Sequence, residues 1–453
     1  MMINNAVIRL ILLCGGLLFA GVVTATPRIE TWQTANGAGV LFVEAPEIPM
    51  VDVRVVFDAG SARDGAKQGV TSFTNSLLSE GAGGWDAYRI AERMENVGAQ
   101  LEVGSLRDMA WVSVRSLTEH KALSVSLETL AAVLAKPRFA PEDIERKRQS
   151  ILAGLLQDEQ SPGSVGQKRL YRLVFGDHPY AADPAGTAES VKSLTRRDIQ
   201  EAHQRLYVAR NALVTIVGAV DKERAKGIAE QVTRALPAGE PAPAIPPVEA
   251  LQQAVEERIP FPSTQSHLYL GQPGMRRGDP DYFPLYVGNH ILGGSGLVSL
   301  LSEEVREKRG LSYSVYSYFM PMRRFGLFQL ALQTKNEQAD EALQVARSTL
   351  ERFIEAGPTD EELQAAKQNI TGGFPLRVAS NGKIVEYLAV IGFYGLPLDY
   401  LDTFTEKVRA ITREGIRDAF KRRVDPDRLV RVQVGRLRSP VAQVAEGLDG
   451  AKQ

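Results

Sequence analysis

Cysteine is almost absent from this 453-residue chain; the single one, Cys14, lies in an apolar N-terminal segment. Neither disulfides nor thiol redox chemistry can therefore be invoked. Histidine is scarce as well. His120, His178, His203, His267 and His290 are the whole set, and no two are close enough to share a helix turn, which excludes a local two-histidine metal motif. An excess of one charge is also missing. Lys plus Arg number 53 against 54 Asp plus Glu, a net charge of −1, so nucleic acid is not the main partner. The apolar run at residues 10–23 follows Arg9 and is too short for a comfortable membrane span, so no stable membrane insertion is expected. With Val23-Thr24-Ala25 as a small-residue cleavage site before Thr26, it reads as a signal peptide over residues 1–25 and predicts a periplasmic location. Leu13 is bulky where a lipoprotein signal wants a small residue, which argues against a lipid anchor on Cys14.

What is present is the composition of a soluble globular protein, 44% hydrophobic and 24% charged, at a length that fits two or more domains. Residues 237–249 are proline-rich without apolar periodicity and read as an extended linker. They separate an N-terminal domain (26–236) from a C-terminal domain (250–438) and a tail (439–453). The halves look like repeats. Residues 194–218 align without gaps on residues 411–435, with identities at Thr195/Thr412, Arg196/Arg413, Ile199/Ile416, Ala202/Ala419, Arg205/Arg422, Val217/Val434 and Gly218/Gly435. Each copy reads as a helix capped by threonine and followed by a strand. Val51, Val53, Val55 and Phe57 alternate as a strand face. Residues 123–134, 144–156, 337–354 and 360–370 show helical patterns, and strand-like 312–318 and 327–334 flank Arg323, Arg324 and Gly326 as a hairpin would. The pattern predicts an α+β fold of two homologous α/β-sandwich-type halves.

One stretch carries the functional argument. Gly69-Val70-Thr71-Ser72-Phe73-Thr74-Asn75-Ser76 through Gly81-Ala82 resembles, in frame and spacing, the G-[LI]-A-H-x-x-E-H-x-x-F-x-G-[TS] pattern of the insulinase/pitrilysin-type zinc metallopeptidases, the inverzincins. The two histidines fall on Ser72 and Ser76 and the glutamate on Asn75. Hydroxyls are poor zinc ligands, and an amide takes no proton near neutral pH, so it cannot serve as a general base. The downstream glutamate that completes the family's zinc site would fall on residues 147–157, at Ala153 or Gly154, neither of which can bind a metal. The resemblance spans nearly the whole mature chain. In the second half, Leu292-Gly293-Gly294-Ser295-Gly296-Leu297 is similar to the family's glycine-rich turn, read as a flexible turn before a helix. Arg306 and Tyr313 match its R-x-x-x-x-x-x-Y motif.

By that resemblance, Arg306 would bind the substrate main chain or stabilise charge beside it, and Tyr313 would donate to the developing oxyanion, both reaching into an active site on an opposing N-terminal half. The expectation is a non-catalytic subunit that binds no cofactor itself. Its expected partner is a catalytic subunit of the same family that holds zinc, and the two would enclose peptide substrates. The alternative is a proteolytically inactive peptide-binding or structural scaffold protein of the same fold.

Overall fold

The computed structural model describes residues 28–436; the expected signal segment with Cys14 and the tail 439–453 lie outside the described residues. The N-terminal half runs β1 (Glu30–Gln33), β2 (Gly39–Glu44), β3 (Met50–Phe57), α1 (Val70–Leu77), a ribbon of β4 (Gly81–Ala82) and β5 (Trp85–Asp86), α2 (Ala87–Glu95), β6 (Gln100–Ser105) and β7 (Ala110–Leu117). It continues through α3 (His120–Ala135), α4 (Pro141–Glu159), α5 (Pro162–Phe175), α6 (Ala188–Ser193), α7 (Arg196–Leu206), β8 (Ala212–Gly218) and α8 (Lys222–Thr233). The C-terminal half runs β9 (Val255–Pro260), β10 (Gln265–Pro273), α9 (Tyr282–Asn289), π-helical stretches at His290–Gly294 and Ser302–Glu307, β11 (Ser314–Phe319) and β12 (Leu327–Lys335). It closes with α10 (Ala339–Ala356), α11 (Asp360–Arg377), α12 (Asn381–Tyr394), α13 (Tyr400–Arg409), α14 (Arg413–Arg423) and β13 (Val430–Gly435). Among the described residues no helix is long and apolar enough to cross a membrane.

The duplication is visible in the sheets. The first is ordered β1-β2-β8-β3-β7-β6 and the second β9-β13-β10-β12-β11. Apart from the added edge β1, the order and the sense of every pairing coincide. β8 enters parallel to β2 and antiparallel to β3, as β13 enters parallel to β9 and antiparallel to β10. The threonine caps hold in both copies: Thr195 accepts from the Asp198 amide and Thr412 from the Gly415 amide. The alternating face of β3 (Val51, Val53, Val55, Phe57) is buried in the N-terminal core with Phe73, Leu130 and Leu206. A matching core in the C-terminal half gathers Leu268, Leu330, Leu350, Phe353 and Phe420.

Each half is more than a two-layer sandwich, because each lends a helix to the other's sheet. α5, from the N-terminal half, packs on β10 and β13; α12, from the C-terminal half, packs on β8 and β3. Close approach needs glycine at both crossings. A Cβ at Gly166 would come within 2.3 Å of the Tyr269 ring, and one at Gly392 within 2.6 Å of Leu213 Cδ2. Periodicity marks these helices as amphipathic but cannot say whose sheet they cover.

A buried polar cluster joins the exchanged parts. Asp108, in the β6–β7 turn, is 2% exposed. It accepts from Tyr180 Oη at 2.6 Å, Tyr394 Oη at 2.9 Å and the Arg323 backbone amide at 2.7 Å. Tyr180 follows α5, Tyr394 ends α12, and Arg323 lies in the β11–β12 turn. Burial and the neighbouring aspartate push both phenols' ionisation well up, so they remain donors at ordinary pH. The connection between α8 and β9 has no helix or strand at residues 237–254 and is fastened to both halves. Ala209 and Arg210 donate backbone amides to Pro237 O and Ala238 O, and Arg324 Nε donates to the Ile245 carbonyl at 2.6 Å.

Candidate functional site

Helix α1 is set by its own face pattern and by an acid that precedes it. Val70, Phe73 and Leu77 point into the N-terminal core. Asp64 accepts from the amides of Gly69 (2.7 Å) and Thr71 (2.9 Å) and from Thr71 Oγ1 (2.7 Å), satisfying donors that a helix start leaves open. Burial of this carboxylate raises its pKa to about 6 despite those hydrogen bonds.

Along α1 the degenerate positions have become structural. Ser76 Oγ donates back to the Phe73 carbonyl at 2.8 Å, while Ser72 is half-buried beside it. Asn75 is 1% exposed. Its Nδ2 donates to the Gly104 carbonyl of edge strand β6 at 2.8 Å, and its Oδ1 accepts from Tyr207 Oη at 2.9 Å. A glutamate could take the second bond but not make the first, since an ionised carboxylate only accepts. The general-base position is thus occupied by a group chosen for donating and accepting at once. Ala153 and Gly154, the downstream candidates, are exposed on α4 and bring no donor atom. Glu80, the nearby acid, is already paired with Arg146 (2.7 Å) and Lys147 (2.5 Å), and their hydrogen bonds and charge hold its pKa low against partial burial. These residues do not fit a zinc ion. Among the described residues no group of three or more His, Cys, Asp or Glu side chains could hold a metal. His203 is packed against the Tyr207 ring, with Nε2 2.9 Å from the Leu134 carbonyl. Burial lowers its pKa.

The equivalent corner of the C-terminal half is built differently. Gly293 and Gly294 do not form a flexible turn: they complete the π-helical extension of α9, and only Gly296, at φ +66°, turns the chain. The reason is contact with the sheet, since a Cβ on Gly293 would meet Ser317 of β11 at 2.4 Å. The second π-helical stretch carries Arg306. Its guanidinium carbon lies 5.0 Å from the Tyr313 ring centroid, and its Nε is 3.4 Å from Glu307. Tyr313, just before β11, is 82% exposed. The structure therefore brings Arg306 and Tyr313 together. No described hydrogen bond, ion pair or ring contact joins them to Ser72, Asn75 or Ser76 of the same chain. Asp108 escaped sequence reading, because a lone acid in a turn carries no spacing signal. Tyr207 opens a stretch (207–213) that resembles the insulinase/pitrilysin pattern, but its bond to Asn75 leaves no mark in the sequence.

Comparison with known proteins follows the same division. Residues 39–188 match the family model described as Insulinase (Peptidase family M16), and residues 193–370 that described as Peptidase M16 inactive domain. The crystal structure of a peptidase M16 inactive domain from Pseudomonas fluorescens is 38% identical with a TM-score of 0.88, covering 91% of this chain and 98% of that one. A protease from Helicobacter pylori shares the fold at 19% identity and a TM-score of 0.83, over 90% of this chain and all of that one. Among curated proteins, the "Non-peptidase homolog YmxG" of Helicobacter pylori is 25% identical over 397 residues, covering 86% of this chain and 90% of its own length. An "Uncharacterized zinc protease" of Streptomyces coelicolor is 26% identical over 361 residues, covering 78% and 77%.

Proposed function

We proceed from the fact that this chain belongs to the insulinase peptidase family M16, and propose that it is the non-catalytic subunit of a periplasmic heterodimeric zinc endopeptidase. One observation carries the reading: the two equivalent corners of a duplicated fold have opposite fates. The zinc-motif corner is filled by Ser72, Asn75 and Ser76, with Asn75 tied into the protein by two hydrogen bonds. The other corner keeps an arginine–tyrosine pair with its phenol in solvent.

In the assembled enzyme the partner carries H-x-x-E-H and the zinc. This chain contributes half of the peptide chamber. Arg306, held beside Tyr313, offers a planar charged fork to substrate carbonyls. The Tyr313 phenol is free to donate to an oxyanion forming on the scissile carbonyl. The signal-like segment at 1–25 supports the periplasmic part of this reading.

A second reading has its own support. The two hydrogen bonds that tie Asn75 into the protein, together with a relative named a non-peptidase homolog, fit a peptide-binding or scaffold protein that has left proteolysis altogether. A native pull-down of the tagged mature chain separates the two. A stoichiometric partner with zinc-dependent peptide hydrolysis, weakened by Arg306→Ala and Tyr313→Phe, supports the subunit reading. An inactive, zinc-free homo-oligomer moves the assignment to the scaffold.

A further inference from the structure

In the C-terminal half, α9, the end of α11, α12 and α13 line an open cavity of about 360 Å³. Its walls carry an excess of positive charge among four tyrosine phenols. Arg277, Arg377 and Lys383 all line it, against one carboxylate, Glu386. That carboxylate is committed elsewhere, to Arg54 of the N-terminal half at 3.3 Å.

Among the described residues none of the three cations meets a carboxylate of its own. Arg277 Nε is buried with no hydrogen-bond partner, and its guanidinium carbon is 5.5 Å from the Tyr394 ring centroid. Arg377 Nη1 donates to the Tyr286 phenol at 2.8 Å, and Lys383 Nζ to the Leu376 carbonyl at 2.8 Å. Among the described residues the Nε atoms of Arg54, Arg323 and Arg431 are buried in the same unpartnered way, and of the four only Arg277 lines this cavity. The rest of the lining is aromatic apart from Val390. Tyr282 and Tyr286 stack with centroids 5.9 Å apart, and Phe404 packs against Tyr286 at 5.9 Å. Burial pushes the Tyr286 ionisation up, so that phenol is neutral and adds no negative charge.

We propose that this cavity is a binding site for an organic carboxylate carried on an aromatic or apolar body, its two oxygens held by Arg277 and Arg377 and its body against the tyrosine rings. Guanidinium forks match carboxylates in two-pronged geometry, and the volume suits a ligand the size of one amino-acid residue or a small aromatic acid. The ligand comes either as a free acid or as the C-terminus of a peptide. The inference does not rest on the proposed function: it holds whether or not the chain serves a peptidase.

The test is calorimetric titration of the full chain with N-acetyl-phenylalanine and with its neutral amide, beside a tripeptide ending in free phenylalanine. The acid binds and the amide binds at least about tenfold more weakly, because charge-assisted hydrogen bonds are the strong ones. Arg277→Gln and Arg377→Gln each weaken the acid at least about tenfold while leaving the amide unchanged. Arg377→Gln lies at an exposed helix end, so the test survives if the Arg277 variant fails to fold. Tighter binding of the tripeptide than of the acid identifies a peptide C-terminus as the source; equal binding identifies the free acid. The proposal is overturned if acid and amide bind alike or not at all, if binding survives Arg377→Gln, or if inorganic phosphate displaces the acid at equal concentration.

Discussion

The α1/β6 corner of the first half and the π-helical/β11 corner of the second occupy equivalent places on sheets of the same strand order, yet one is closed and the other open. Asn75 is 1% exposed and Tyr313 82%. At the closed corner Asn75 and Ser76 stand where the matching pattern has catalytic groups, and each hydrogen-bonds the protein around it, as buried polar atoms must. At the open corner the helix is widened into π turns, a geometry frequent at functional sites. Leu297, Val298 and Tyr313 stand exposed beside it. The degenerate motif positions of the first half are thus built into its packing, whereas the second half leaves its arginine–tyrosine pair at the surface.

The comparison presumes that the halves act as one body, and Asp108 is where that breaks. Asp108→Ala leaves the Tyr180 and Tyr394 phenols and the Arg323 amide without their shared acceptor. The expected cost is about 3–5 kcal/mol, in the range for breaking a buried charged hydrogen-bond cluster. Thermal unfolding should show a lower midpoint and a transition broadened or split between halves. A shift like that of a surface substitution would mean that α5 and α12 alone couple them.

Restoring the acid at the closed corner comes next. Asn75→Glu puts a carboxylate where a donor is needed for Gly104 O, within a site with no room for solvent. The expected destabilisation is about 2–4 kcal/mol, measured by denaturant unfolding. Ser72→His and Ser76→His added to it should still give no zinc binding by equilibrium dialysis, because Ala153 and Gly154 supply no third ligand. Stoichiometric zinc in that triple variant would show that the corner is only chemically, not structurally, retired.

Much of this was legible before any coordinates. The repeat in residues 194–218 and 411–435 fixed equivalent helix–strand units because a threonine cap, an apolar period and a terminal glycine each leave a local mark. The empty motif was legible for the same reason. What lay hidden depends on contacts distant in sequence. Nothing in residues 162–175 or 381–394 states that these helices exchange sheets. Asp108 and Tyr394 are 286 residues apart, so no spacing rule relates them. Of the turn expected at residues 293–296, Gly293 and Gly294 proved π-helical, and the reason for glycine at 293 is the close approach of Ser317 on β11, a tertiary contact that the local sequence does not state.

Acid titration sharpens the contrast, because the two corners respond with opposite sign. Asp64, below α1, has a folded pKa raised from 3.8 to about 6. Its contribution is complete below pH 3.8 and is lost as pH rises through about 6, so the advantage of wild type over Asp64→Asn should shrink across that window by on the order of 3 kcal/mol. Glu304, on the second π-helical stretch, is held down from 4.5 to about 2 by hydrogen bonds from Lys308 and Arg309. Its contribution is present above pH 4.5 and fades as pH falls toward 2. It is an ion pair screened by solvent, so about 1 kcal/mol or less is expected, and salt should reduce it. Stability curves of wild type, Asp64→Asn and Glu304→Gln between pH 2 and 8 check both signs, and slopes of the same sign would remove the contrast.

The smallest expected effect on the isolated chain is the most informative about function. Arg306→Ala and Tyr313→Phe remove an exposed phenol and a guanidinium whose recorded partners are that ring and the neighbouring Glu307. Surface substitutions of this kind fall within about 0.5 kcal/mol, so unfolding midpoints should barely move. If the open corner works on a partner's substrate, the same variants should cost the reconstituted enzyme about 10- to 1,000-fold in kcat, the range for loss of one oxyanion donor or charged clamp. The loss belongs in kcat more than in KM if the contact strengthens as the oxyanion forms. A residue that is inert to folding and costly to turnover can only be exposed for another molecule's sake. If both readouts stay flat, Tyr313 is merely a surface tyrosine, and the two corners differ in solvent exposure but not in purpose.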